Sequence, residues 1–224
     1  MRKQKRAADL GDLSKGYRNK SGALLLMLVL LSLSISSRLF GQPKHINAPV
    51  IRHELDRIYR EDQLNRYKLV AMDQNWNDSL QVAYDSLWAL QKSLDRQHML
   101  TIDQLQTTYG WDDLMRLPDT AKQVIFLVIQ HSDSLHMIKY LPLINRSAQK
   151  GDLPKEDYAL LQDRVSLMQG GKQYFGSQIY WDSKQNQYLP LPVLGGREAA
   201  EKRRRVLGIE TLVHYLDRCN KAPN

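Results

Sequence analysis

Cysteine is almost missing from this chain: among 224 residues only Cys219 carries a thiol. It can close no internal disulfide, and a lone Cys outside zinc-ligand spacing makes no metal site, so stability has to come from packing. Also missing is an uninterrupted apolar run of the roughly 20 residues that a bilayer span takes. No nucleophile elbow, His-Glu-x-x-His helix, phosphate-binding loop or dinucleotide-binding glycine pattern occurs. That lowers the case for an enzyme without closing it, and no cofactor is expected. The formal charge of +8 first suggests an anionic partner, but its distribution removes most of that suggestion. Residues 1–41 hold eight Lys/Arg and two Asp, which leaves 24 Lys/Arg against 22 Asp/Glu for the rest. A nucleic-acid binder would keep its basic patch in the folded part, so nucleic acid is not an expected partner.

What is present starts with a leader. Residues 1–20 are basic and polar, and an apolar stretch of about a dozen residues follows from Ala23 past Leu31 to Ile35. A short apolar run, a basic flank and small residues after it (Ser32, Ser34, Ser36, Ser37) are the pattern of a secretory signal peptide. Cleavage is expected near Gly41-Gln42, although Ser34-Ile35-Ser36 fits the small-x-small rule better. No Cys closely follows the run, which excludes a lipoprotein anchor, while the long basic leader keeps an uncleaved inner-membrane anchor open. Either way the folded body is expected outside the cytoplasm, periplasmic or extracellular, touching a membrane only through residues 1–41. Residues 42–49 read as a linker, 50–218 as a single helical domain and 219–224 as a tail.

Within the body the apolar residues recur at helical spacing. Ile51, Leu55, Ile58 and Leu69 mark a first helix, broken at Asn75 to Asp78, where Asn77 or Asp78 can cap the next. Leu80, Ala83, Leu87, Leu90, Leu94, Ile102 and Leu105 mark a second, stopped at Tyr109-Gly110. Thr120 and Gln123 have capping-box spacing before a face of Val124, Leu127, Val128, His131, Leu135 and Ile138, which Ser132 or Ser134 can split in two. Tyr158, Leu161, Val165 and Met168 form the next face after Pro154. Beyond Gly170-Gly171 the composition turns aromatic and glycine-rich, and Ile179–Trp181 with Gln187–Leu189 around a polar turn predicts a small β-hairpin. A last helix is expected over about 197–217, with Val206, Ile209, Val213 and Leu216 as its apolar side. The fold class expected is mainly α: a multi-helix domain with a small β-hairpin near the C-terminal third.

Several polar residues interrupt these stripes. Asp62 stands four after Ile58 and four before Arg66, a spacing that permits an ion pair on one face, exposed or buried. His131 continues an apolar face; the plain alternative to a functional role is a buried His bonded to backbone. Asp133 lies two residues on and can approach His131 only if the helix ends there. His98, His136 and Asp95 have no recognised ligand spacing with it, so no metal site is assigned. Asp163 and Arg164 fall inside an apolar helix, where each must reach solvent or join a charged network. Gln173 to Gln178 is a turn with two amides and aromatics, in which Gly176 permits close approach of another element or a ligand.

Taken in order, Gln130-His131-Ser132-Asp133, Lys139-Tyr140-Leu141-Pro142-Leu143, Leu161-Gln162-Asp163-Arg164-Val165 and Gln173-Tyr174-Phe175-Gly176-Ser177-Gln178 resemble a bacterial family catalogued as domain of unknown function 6624. Glu61-Asp62-Gln63 with Arg66, Tyr109-Gly110-Trp111, and Arg204 four before Gly208 with Tyr215 resemble it too, so the likeness covers about residues 50–216. Phe175, Ser177 and His98 stand where the family pattern has Tyr, Thr and Asn. The resemblance implies a shared architecture and a shared polar site, and no activity.

Three functions are then open. The first is an exported domain that binds a small polar or anionic ligand or a peptide partner through Asp62, Gln63, Arg66, His131, Asp163, Arg164, Gln173 and Gln178, with Arg204 added by the resemblance. The second is a hydrolase-like enzyme with His131 as general base, oriented by Asp133 or Asp163. The third is a structural domain whose polar groups form a buried network that fixes helix register. All three expect His131 within reach of Asp62, Arg66, Asp163 or Arg164, with the 173–178 turn over the same spot.

Overall fold

A computed structural model describes residues 47–221, and the leader expected over 1–41 lies outside the described residues. The protein is mainly α with one small antiparallel hairpin, as the periodicity predicts. Helix α1 (Ala48–Gln74) and α2 (Gln81–Tyr109) form an antiparallel pair joined by a 3-10 turn at Asp78–Leu80, whose Asn77 cap accepts from the Ser79 N–H. A single turn, α3 (Trp111–Leu114), leads to α4 (Asp119–His131). Helix α4 packs on both α1 and α2, and it buries Ile125 and Ile129 completely, so it is the central element of the core. Helices α5 (Ser134–Lys150) and α6 (Lys155–Met168) form a second hairpin, turned by Gly151 at φ +83° in the left-handed conformation that glycine takes without strain. Strands β1 (Ile179–Asp182) and β2 (Gln187–Pro190) pair with Trp181 opposite Tyr188, and α7 (Gly196–Leu207) and α8 (Leu212–Lys221) complete the described residues. Among these, no helix is long and apolar enough to cross a membrane.

Several boundaries and faces differ from the sequence reading, each for a local reason. The first helix begins earlier, at Ala48, because Asn47 caps it and Pro49 fits its first turn, so residues 48–49 are not linker. Asp133, not Ser132 or Ser134, caps α5 by accepting from the His136 N–H. Pro118 precedes α4 with no side-chain cap, so Thr120 and Gln123 form no capping box. The long last helix is two helices, since Gly208 ends α7 in the left-handed conformation. The second of them runs on through Cys219 to Lys221 instead of ending in a tail from 219. Asn220 is held there because its side chain accepts from the Tyr188 N–H at 2.6 Å and donates to the Tyr188 carbonyl, pairing the open edge of β2. Leu135, Ile138, Val206 and Val213 are exposed, because the helices they sit on turn at Ser132 and Gly208 and end the stripes that had included them.

One tie between α4 and α6 gives a pH-dependent expectation. Gln123 donates to Asp157 at 3.1 Å, yet burial outweighs that bond and pushes the Asp157 carboxyl from 3.8 up to about 6. A carboxyl raised in the folded state contributes stability that is present below its ordinary pKa and lost as pH rises through the folded value. Asp157→Asn keeps the acceptor for Gln123 and removes the charge. It should stabilise the protein at about pH 8 by about 1 kcal/mol, discounted for the solvent that still reaches the carboxyl, and leave it unchanged near pH 4. Calorimetry at the two pH values checks this; equal effects at both would contradict it.

Candidate functional site

Helices α1 and α2 build a charged square between them. Asp62 and Arg66 are one turn apart on α1, and Gln91 and Asp95 are one turn apart on α2, so two polar pairs face each other across the interface. Arg66 donates through Nε to Asp62 Oδ1 at 2.9 Å and through Nη2 to Asp95 Oδ1 at 2.6 Å. Gln91 Nε2 donates to the same two oxygens at 3.1 and 2.8 Å. Gln63 donates to Asp62 Oδ2, so the buried Asp62 carboxylate is surrounded by donors. Burial pushes the Asp62 carboxyl up, but His131 and Arg66 together outweigh it and hold it below its ordinary value. The ion pair allowed by the spacing of Asp62 and Arg66 is thus buried at the Asp62 end rather than a surface pair.

His131 ends α4 beside this square. Its Nδ1 lies 3.6 Å from Asp62 Oδ1, too long for a hydrogen bond but close enough for a charge contact when the ring is protonated. Both that Nδ1 and Oε1 of Gln91 are buried without a hydrogen-bond partner. Orphaned buried polar atoms are costly, and they cluster here around Asp62. A further charged ladder runs down α1 next to it: Arg57 bridges Glu54 and Glu61, and His98 Nε2 lies 3.1 Å from Glu61.

Arg164 reaches the same region from α6. It donates to the carbonyl of Gln130, the residue before His131, and among the described residues no carboxylate pairs with it. Burial first, and then the Arg66 cation, lower its pKa from the ordinary value. It remains charged at neutral pH because the starting value is so high. In front of His131 opens a cleft of about 430 Å³. Lys92, Arg96, His131 and His136 line it, with Asp95 and Asp133 between them, over an apolar floor of Met99 and Leu100. Neither Lys92 nor Arg96 forms an ion pair within the described residues, so the cleft offers cationic groups not already neutralised. No family model, no curated protein and no solved structure matches this chain.

The remaining residues singled out from sequence form a separate structure. Asp163, one residue before Arg164 and therefore about 100° around the helix, points away from the square. Its fully buried carboxylate accepts from the N–H groups of Tyr174, Phe175 and Ser177 at 2.6, 2.9 and 2.8 Å and from the Ser177 hydroxyl at 2.9 Å. Gln173, also fully buried, donates to the carbonyls of Gln178 and Leu191 and accepts from the Gln178 N–H. Arg204 donates to the carbonyls of Glu210 and Phe175 and stacks on Tyr215, whose hydroxyl donates to the Ser177 carbonyl. Gly176, at φ +75°, lies so close to Leu212 that a Cβ would come within 2.9 Å of it, so this turn requires glycine twice over. Together these groups dock the hairpin, α7 and α8 onto α6.

The single shared site expected from sequence therefore divides in two. Asp62, Gln63, Arg66, His131 and Arg164 gather around the square, whereas Asp163, Gln173, Gln178 and Arg204 belong to the docking cage, and the 173–178 turn covers Asp163 rather than His131. Neither expected partner orients His131: Asp163 is bound by the turn, and Asp133 caps α5 and contacts His136 Nδ1 at 2.9 Å. The carboxylate beside His131 is Asp62. Next to it, the Ser132 hydroxyl donates to the Ile129 carbonyl at 2.6 Å and so serves the end of α4. Among the described residues no group of three or more His, Cys, Asp or Glu is placed to hold a metal ion. Gln91 and Asp95 carry half of the square; Gln91 escaped the sequence reading, and Asp95 was weighed there only as a metal ligand. Gln91 follows Leu87 by four on the inward stripe of α2, and a polar residue there was the available signal.

Proposed function

We propose that this protein is an exported helical binding domain whose His131 cleft takes a small anionic ligand, and that the family it resembles shares that site. The observation that carries this is Arg164, a half-buried cation behind the cleft beside His131, bonded only to the Gln130 carbonyl and faced by the like charge of Arg66. A purely architectural network would give such a group a carboxylate, because an unpaired buried charge is costly. A ligand carboxylate or phosphate would complete it. Lys92 and Arg96, which form no ion pair among the described residues, line the cleft and support an anion as its ligand.

Thermal unfolding of the protein with acetate, succinate, inorganic phosphate or sulfate tests the reading, since a ligand of the folded state raises its apparent stability. At least one of these anions should raise the Tm of the native protein. Arg164→Gln should abolish that rise while leaving the free protein as stable as before or more stable by up to about 1 kcal/mol, the pattern of a site strained for function. If no anion raises the Tm, or if Arg164→Gln destabilises the free protein and keeps the rise, the proposal fails.

A further inference from the structure

A second concavity, independent of the His131 cleft, lies against α7. It encloses about 680 Å³, within the range of small-molecule sites. Its floor is apolar, formed by Phe175, Ala199 and Leu207, with Val206 at its exposed edge. Its rim is cationic, with Lys155 from α6 and Lys202 and Arg203 from α7, and none of its lining residues is acidic. Lys155 and Lys202 form no ion pair within the described residues. Arg203 is fixed in position, donating to the carbonyls of Tyr174 and Leu194 at 2.9 and 2.8 Å, so its charge is not neutralised either. On α7 itself, Glu201 is committed to the N–H groups of Leu212 and Val213, and Glu198, four residues before Lys202, forms no ion pair with it among the described residues. Val206 is 83% exposed on a helix otherwise rich in Arg and Lys.

From this arrangement we infer a binding site for a monomeric amphipathic anion, an acyl chain with a carboxylate head. The head is taken by the Lys155, Lys202 and Arg203 rim, and the chain lies over Phe175, Val206 and Leu207. A single acyl chain fits because Phe175, Ala199 and Leu207 are recessed and only Val206 protrudes. A membrane surface is instead met by apolar side chains that protrude from a convex face. Neither half of the site recognises its ligand alone: the cations hold a head group only loosely in water, and the floor has no means of choosing among apolar molecules.

Calorimetric titration of the full chain with dodecanoate below its micelle concentration tests the inference, with acetate, neutral dodecyl maltoside and anionic phospholipid vesicles as comparisons. On the Arg164→Gln chain, where the His131 cleft no longer takes small anions, dodecanoate should bind at one saturable site, and the comparison ligands should bind at least tenfold more weakly. Lys155→Ala combined with Lys202→Ala should weaken dodecanoate at least tenfold, and so should Val206→Asp. These side chains are exposed, so the circular dichroism and Tm of the free variants should match the native chain. Arg164→Gln should leave dodecanoate binding intact, which separates this site from the cleft. Equal binding by native and variant chains would place the ligand elsewhere, for instance on the apolar leader, and overturn the inference. Binding to vesicles without binding to the monomer, or acetate binding to the Arg164→Gln chain as tightly as dodecanoate, would overturn it as well.

Discussion

Replacing Asp163 with alanine is expected to cost the folded state about 3–5 kcal/mol, read as a lower urea midpoint at unchanged slope. Three backbone N–H groups and the Ser177 hydroxyl converge on that carboxylate, and no water reaches it. Removing the acceptor leaves those donors buried and unsatisfied, and each unpaired buried donor costs about 1–3 kcal/mol before the turn relaxes. The turn is also what joins the hairpin, α7 and α8 to α6, through the Phe175 and Ser177 carbonyls held by Arg204 and Tyr215. The loss should therefore appear in the near-ultraviolet aromatic signal, since Phe175 stacks edge-on against Tyr158 at 6.0 Å. Asp163→Asn should recover only part of the loss, because one of its two polar atoms donates where the turn needs an acceptor. A change below about 0.5 kcal/mol for Asp163→Ala is what a solvated surface residue gives, and it would falsify the docking role.

The second large effect is expected at Asp62. Asp62→Ala should destabilise the protein by about 3 kcal/mol near neutral pH, because Arg66, Gln91 and Gln63 all lose their shared acceptor. Asp95 still holds Arg66, which keeps the loss from the upper end of the range for a broken buried pair. The pH dependence provides a sharper check. The Asp62 carboxyl is held below its ordinary 3.8, so its contribution is present above that value and lost as pH falls through the lower, folded one. The stability gap between the native protein and Asp62→Ala should close as pH falls below the ordinary 3.8 of the carboxyl. A gap that persists unchanged to about pH 3 would mean that the charge of Asp62 is not what stabilises the square. Adding Arg66→Ala to Asp62→Ala should cost less than the two separate losses, because the pair is then already broken.

Much of the fold could be read from local patterns because helices record their buried face every third or fourth residue. Ile51, Leu55, Ile58 and Leu69 are all buried as that spacing requires, and the hairpin formed where aromatic strands flank a polar turn. The same rule failed at Leu135, Ile138, Val206 and Val213, where a stripe was continued across a chain turn that periodicity does not register, and at Leu90 and Met168, which are exposed on the helices it had placed them in. The polar residues show the division most clearly. Their places on apolar stripes marked Asp62, Arg66, His131, Asp163 and Arg164 as unusual, but nothing local said how they would be partnered. Asp163 and Arg164 are adjacent in the chain, yet one closes the cage under the 173–178 turn and the other is left uncompensated beside Arg66.

By itself, then, the sequence determined the helical class, the main helices, the hairpin and the residues that had to find polar partners, because burial periodicity, turn chemistry and desolvation cost are local properties. Only the tertiary structure decided that these residues form two separate centres, that Gln91 and Asp95 complete the first, and that Lys155 meets Lys202 over an apolar floor. The physical reason is that a charged or polar group in the interior is satisfied by whichever group packing brings within about 3 Å: for Arg66, Gln91 and Arg164 that group lies on another helix some 30 residues away, and for Asp163 in the turn beyond its own helix.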